Sequence, residues 1–395
     1  MRKLAVWLCA SVFLAMVSLV TVAMAEQERA PLKVGVVLPL TGAYQKFGEI
    51  QKNAFLMGTE EINAGGGVNG RPIELLIVDV KSKMDIGRSA AENLILRDKV
   101  IVLTGGYSSD VTFAMAAVAQ NRKVPLLITS GAADEITELA ADYVFRLNQP
   151  VSEYERPFIE FLQQVVKPER VVIVYEKTLF GESGSKAFAK QAFELDWKIL
   201  LNEGYEAGTQ DFNALLGKAK SANPDVVYMI SNDEKEAAML VQQAKGLGFK
   251  PRVFMGAAAG FTLPEFRRLA GDAAENVYSL TLWTPQVPYT GAKEYYSNYM
   301  KKFGSETDYH GAEAYASIYV VADALKRAKK LTPKGVREAL AKTSMMTVFG
   351  PVKFISYDKK TQQNSLPSYL AQWQKGVLET VWPQIAATKA YIYEE

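Results

Sequence analysis

Short apolar runs alternate with stretches of helical period along almost the whole chain. Leu32–Leu38 is a compact apolar run bounded by Pro31 and Pro39, as a buried strand requires. Phe47, Ile50, Ala54 and Met57 then recur at spacings of three and four, which predicts a helix, and the glycine-rich turn from Asn63 to Gly70 ends it. The alternation continues as strand Ile73–Val78, helix Asp85–Arg97, strand Val100–Leu103, helix Asp110–Asn121 and strand Pro125–Ile128. Strand and helix in strict turn predict an α/β unit, a parallel sheet with helices on both faces.

From Tyr143 the pattern restarts as a second unit. A helix over Glu153–Val166 carries Tyr154, Phe158, Phe161, Leu162 and Val165 on one face and leads into the strand Val171–Tyr175. Further strands are expected at Ile199–Leu201, Val226–Ile230 and Val253–Met255, with helices at Gly184–Leu195, Phe212–Ser221 and Glu234–Leu247 between them. Long helices at Gly291–Phe303 and Ala312–Lys329 precede strand-like segments at Val352–Ile355 and Ser368–Trp373, so the tail completes both halves. No long Pro, Gly or Ser linker separates the halves, which predicts close, multiply connected lobes. Ligands of open α/β sheets bind beyond the carboxyl ends of the strands, which makes the strand-to-helix loops the place to look for function.

The first residues change where the protein is expected to work. Arg2 and Lys3 precede an apolar run from Leu4 to Val22 that ends in Ala23-Met24-Ala25, the pattern of an export signal cut before Glu26. A retained membrane anchor is the competing reading, because the run approaches the roughly 18 to 20 residues that span a bilayer. Cys9, the one cysteine, leaves with the signal, so thiol and disulfide chemistry leave too. Without Arg2 and Lys3 the chain carries equal numbers of basic and acidic side chains, and a nucleic-acid partner is not expected. The remainder is long enough for two domains with substantial cores.

Catalytic signatures fail on context. Gly65-Gly66-Gly67-Val68-Asn69-Gly70 fits G-x-G-x-x-G by letter, but a helix precedes it and a strand follows, the reverse of a dinucleotide site. Gly181-Glu182-Ser183-Gly184-Ser185 misses the nucleophile-elbow template at its last position. The single histidine, His310, sits before a helix and reads as structural or solvated. No acidic cluster has ligand spacing, so neither a metal nor a cofactor is expected, and the chain does not read as an enzyme. What stands out is Thr104-Gly105-Gly106-Tyr107-Ser108-Ser109-Asp110, a loop whose serines precede a helix. Serine hydroxyls with free backbone N–H groups at a helix start can hold a carboxylate without arginine. A second loop, Thr129-Ser130-Gly131-Ala132-Ala133-Asp134, is expected beside it; the competing reading of Ser109 or Asp110 is plain helix capping.

Several segments in order resemble the periplasmic binding proteins of ABC importers, specifically the branched-chain amino-acid (Leu/Ile/Val) binding family. They are Lys33-Val34-Gly35-Val36-Val37 with Leu40-Thr41-Gly42, Ile62 to Arg71, the Ser108-Ser109 loop, Tyr175-Glu176-Lys177 with Phe180-Gly181-Glu182, Asp211-Phe212, Pro224 to Val227, and Phe349 to Phe354. The resemblance implies a type I fold of two doubly wound parallel-sheet lobes joined by three crossover segments. We expect one lobe from 31–147 and 283–349, the other from 148–282 and 350–395, and residues 1–25 as the signal. It also implies a monomer in the periplasm that hands a small molecule to ABC permease subunits of the inner membrane.

The family's ligand residues carry over only in part. Ser109 matches the carboxylate-binding serine and Ala132 falls in the second loop, but Ala133 stands where a threonine is expected. The acid that pairs with a ligand's α-ammonium falls at Ala258. Leaving one side of a buried ion pair unmatched costs about 3 to 5 kcal/mol, unless Asp233 or Glu234 substitutes. Phe47 and Phe180 fall where the family places tyrosines, and Tyr44, Tyr107, Asn232 and Phe261, with Trp283, are expected nearby. The combination favours an aromatic or phenylpropanoid acid over leucine. An amino acid, amide or urea is the alternative ligand, and a ligand-sensing partner of a receptor the alternative role.

Overall fold

The computed structural model describes residues 30–393, so the expected export signal, Met1–Ala25, lies outside the described residues. The chain opens with β1 (Leu32–Leu38), α1 (Gln45–Ala64), β2 (Ile73–Asp79), α2 (Met84–Leu96), β3 (Leu103–Gly105), α3 (Ser109–Arg122), β4 (Leu126–Ile128) and β5 (Val144–Arg146). Two short helices, α4 (Val151–Tyr154) and α5 (Arg156–Phe161), lead into β6 (Arg170–Glu176), α6 (Leu179–Glu194), β7 (Lys198–Tyr205), α7 (Asn213–Ser221), β8 (Val226–Ile230) and α8 (Glu234–Gly246). Then come β9 (Val253–Gly256), α9 (Pro264–Ala270), β10 (Tyr278–Thr281), α10 (Ala292–Phe303), α11 (Tyr309–Arg327) and α12 (Pro333–Leu340). The tail supplies the hairpin β11 (Ser344–Thr347) and β12 (Gly350–Lys353), then β13 (Ile355–Tyr357), β14 (Lys360–Gln363), β15 (Tyr369–Gln374) and β16 (Val377–Trp382).

Two seven-stranded sheets result, in the orders β13-β14-β5-β4-β3-β1-β2 and β16-β15-β10-β9-β8-β6-β7. Within each, the first five strands run parallel; the tail adds β14 parallel to β5 with β13 antiparallel to it in the first sheet, and β15 and β16 as antiparallel strands in the second. Val34, Val36, Leu103, Leu127, Val172 and Val227 are fully buried, as strands covered on both faces must be. The strand order reverses between β1 and β3 in one lobe and between β6 and β8 in the other. Loops that leave neighbouring strands in opposite directions open a crevice at such a point.

Three crossings join the lobes, and the first and third hold one another: Asn364 Nδ2 donates to Leu147 O at 3.0 Å and Gln149 Nε2 to Pro367 O at 2.9 Å, while Trp283 of the second donates Nε1 to Val348 O, in the β11–β12 turn, at 2.8 Å. The expected division put 350–395 wholly with the second lobe. That is corrected by β13 and β14, which join the first sheet through Gln363 beside Arg146; only β15 and β16 join the second. The chain therefore recrosses near Asn364–Ser368. The expected helix over Glu153–Val166 is broken into α4, α5 and a wide turn at Leu162–Val166, with Pro157 at the start of α5. Helix α11 packs closely on α1, where a Cβ at Gly58 would come 2.7 Å from Ile318 Cγ2. The G-x-G-x-x-G letters form the turn from α1 to β2: Gly67 has φ +68°, and a Cβ there would lie 2.2 Å from Arg71 O.

Candidate functional site

The carboxyl ends of β1, β3 and β4 face those of β6, β8 and β9 across the crevice. The loops after them, with α4 and the start of α11, enclose a narrow cavity of about 30 Å3 lined by Tyr44, Tyr107, Ser108, Ser109, Asp110, Ser130, Tyr154, Thr178, Phe180, Asn232, Ala259, Tyr309 and His310. A smaller chamber of about 10 Å3 shares Tyr154, Phe180 and Tyr309 with it and is otherwise bounded by Val151, Tyr228, Ala257, Ala258, Leu280 and Leu282. One end is polar and the other apolar.

Helix starts supply the polar end. Ser108 caps α3 by accepting from Val111 N at 3.4 Å, and Thr178 caps α6 by accepting from Gly181 N at 3.2 Å. Tyr309 and His310 begin α11, and Asn232 directly precedes the Asp233 cap of α8. Four helix N-termini from both lobes converge here. The positive ends of their dipoles favour an anion in a cavity without a lysine or arginine in its wall, while several of the first N–H groups are already taken, at α8 by Asp233 and at α11 by Asp308. Ser109 Oγ accepts from Ala133 N at 3.1 Å and keeps its own hydrogen for a further acceptor.

The lobes touch directly around the cavity. Tyr44 Oη donates to Glu176 Oε1 at 3.3 Å, Leu179 N to Asp110 Oδ2 at 3.4 Å, and Asp134 N to Ser183 Oγ at 3.1 Å. Asn232 N and Nδ2 donate to Glu176 Oε2 at 3.1 and 3.2 Å. Burial pushes the Glu176 carboxyl up, opposed by the bonds from Asn232 and Tyr44, and burial likewise raises Asp110. This is a closed arrangement.

Of the residues expected from sequence, Tyr44, Tyr107, Ser108, Ser109, Phe180 and Asn232 line the main cavity and Ala258 lines the apolar chamber. The others stand behind the walls. Phe47 stacks on Tyr107 with ring centroids 4.8 Å apart, and Ala132 and Ala133 are buried beneath Ser109. Phe261 packs in the second lobe, where Trp373 Nε1 donates to its carbonyl at 2.8 Å. Asp233 is occupied as a cap, accepting from Lys235 N at 2.8 Å and Glu236 N at 3.0 Å, and Glu234 does not line the cavity. Sequence reasoning missed Tyr154 and Tyr309 as walls. His310, expected to be structural or solvated, is buried and bonded through Nδ1 to Asp308 Oδ2 at 2.8 Å, with its ring on the cavity wall. The signal for the last two was Asp308, an N-cap before a long apolar helix.

Two doubly wound lobes closing on a pocket of helix N-termini define a protein that captures a small solute between hinged halves. The chain belongs to the periplasmic binding protein family, whose model matches residues 31–377. It is a substrate-binding protein of an ABC transporter. It is 28% identical over 373 residues to Leu/Ile/Val-binding protein homolog 7 of Brucella melitensis, covering 91% of this chain and 93% of the relative. The branched-chain amino-acid binding protein LivJ of Streptococcus pneumoniae, solved with isoleucine, is 27% identical with a TM-score of 0.80, covering 89% of this chain and 100% of that one. A solute-binding protein of R. palustris solved with benzoate shares the fold, at 19% identity and a TM-score of 0.78, covering 92% of this chain and 98% of that one. Among the described residues no helix is long and apolar enough to cross a membrane.

Proposed function

We propose that the crevice captures a small carboxylate without an α-ammonium, an aromatic or phenylpropanoid acid, and that the closed form docks on the permease from the periplasm. The observation that carries this is the wall at Ala258. Ala257, Ala258, Leu280 and Leu282 face Phe180 and Tyr154 there, with no carboxylate in that wall among the described residues, and Asp233 is spent on its cap. An ammonium in this chamber would lose its water shell without a partner, whereas a ring or aliphatic chain gains from leaving water. The carboxylate lies at the helix starts of α3 and α6, within reach of Ser109. Ligand contact with both lobes shifts the open–closed equilibrium towards closed.

Ser109→Ala tests the carboxylate role. It removes one hydrogen bond to a charged group and is expected to weaken benzoate binding by about tenfold or more in calorimetry, with the fold kept and a modest fall in melting temperature, because Ala133 N loses its acceptor. Unchanged affinity would place the carboxylate elsewhere. A second reading, an amino-acid ligand, has one specific support: Asp110 lines the main cavity and Glu176 stands beside Tyr44 and Asn232, so an ammonium turned towards β6 rather than β9 would meet acids.

A further inference from the structure

Ser130 occupies the polar end of the cavity, and its surroundings decide where its hydrogen points. Its backbone is fixed: Ser130 N donates to Gly106 O at 3.1 Å and its carbonyl accepts from Asn148 Nδ2 at 2.7 Å. The hydroxyl is flanked by two fully buried side chains, Gln51 from α1, whose Nε2 lies 2.6 Å from Oγ, and Glu313 from α11, whose Oε2 is in hydrogen-bond contact. A hydroxyl oxygen accepts two hydrogens and donates one. Gln51 Nε2 can only donate, so it fills one lone pair.

Glu313 decides the rest. Its Oε1 has no partner among the described residues. Burial pushes its carboxyl well up, Ser130 opposes this, and the charged neighbour acting on it is Asp308, of the same sign; the other titratable groups around it are the buried hydroxyls of Tyr154 and Tyr309. A buried carboxylate with one hydrogen bond and no cation is far less favourable than the neutral acid. A charged Glu313 would accept the Ser130 hydrogen on Oε2; in the neutral acid that bond reverses, because a hydrogen on Oε1 would face no acceptor whereas one on Oε2 meets Ser130 Oγ.

We propose that Gln51 and Glu313 together orient the Ser130 hydroxyl: both deliver hydrogens to Oγ, so the Ser130 hydrogen points into the crevice as a second hydroxyl donor, with Ser109, for an anionic oxygen of the ligand. Glu313 is a positioning residue and touches no ligand. The chemistry it selects is an acceptor group, a carboxylate, over a donor such as an ammonium or amide nitrogen. This deepens the carboxylate reading and rests on it.

The test combines benzoate calorimetry with infrared spectroscopy of the full mature protein. Ser130→Ala and Glu313→Ala are each expected to weaken benzoate by about tenfold. Glu313→Gln, whose amide can donate from the same place, is expected to recover most of that loss. In the ligand-free protein, the C=O stretch of protonated carboxyls at neutral pH is expected to shrink in Glu313→Gln, while the contribution of buried Glu155 remains and disappears separately in Glu155→Gln. An unchanged band in Glu313→Gln, or benzoate affinity as poor as in Glu313→Ala, would overturn the proposal. Failure of the wild-type protein to bind any carboxylate would instead defeat the ligand reading and the Ser130 role with it; the infrared comparison would still decide where the Glu313 hydrogen sits.

Discussion

Single side chains carry the sharpest consequences of this geometry, because several acids are held in unusual states. Glu236, at the start of α8, accepts from Gly208 N, and burial nevertheless pushes its carboxyl up to about 7. In the unfolded chain a glutamate titrates near about 4.3, so between those values the folded state holds a proton that the unfolded state has lost. The stability it contributes is full below the unfolded value and is lost as pH rises through about 7. Glu236→Gln removes that titration. The melting temperature of the variant relative to wild type should therefore rise between about pH 5 and about pH 8; a difference that stays flat with pH would show that Glu236 titrates normally. The residues legible from sequence were those directly after strand ends, Tyr107 to Ser109, Phe180 and Asn232, since topology alone sends them to the crevice. Phe47 and Phe261 were misplaced as walls because an aromatic beside a loop packs equally well on either side of it. Asp233 precedes a helix, and the cap it makes there used the carboxylate that sequence reasoning offered to the ligand.

At the scale of elements, the central strands announced themselves because parallel strands buried on both faces are uninterrupted apolar runs. The edges did not. Strand β5 has three residues, one of them Arg146, which is buried and satisfied by Gly131 O, Ala133 O, Gln363 Oε1 and Thr137 Oγ1, so its charge hid a core position. Strands β13 and β14 are short and polar, and nothing in Lys360–Gln363 indicates the first sheet. The Gly181–Ser185 letters that fail as a nucleophile elbow serve packing instead. A Cβ on Gly181 would lie 2.0 Å from Glu176 O, which lets the first turn of α6 sit on the end of β6. Gly181→Ala must push α6 outwards and carry Thr178 and Phe180 with it. We expect about 1 to 3 kcal/mol of destabilisation in urea unfolding together with weaker ligand binding; unaltered stability would mean that α6 shifts freely.

For the whole molecule, the lobes, their sheet order and the crevice follow from the alternation of elements, but the third crossing does not. Its position depends on which sheet two polar strands join. The first and third crossings hydrogen-bond to one another through Gln149 and Asn364, and Trp283 ties the second to the β11–β12 turn. Direct contacts across the crevice include the Tyr44–Glu176, Asp110–Leu179 and Asp134–Ser183 hydrogen bonds. A ligand that touches both lobes adds to these only in the closed form, so ligand identity decides what closes the crevice. The direct test is thermal unfolding of the mature chain, refolded from denaturant to strip carried-over ligand, against benzoate, a phenylpropanoid acid and leucine. A ligand at 100 times its dissociation constant stabilises the native state by about 2.7 kcal/mol. A clear rise in melting temperature with the aromatic acids and none with leucine is expected; a rise with leucine and none with the aromatic acids would overturn the reading of a carboxylate without an α-ammonium and assign a ligand ammonium to Asp110 or Glu176.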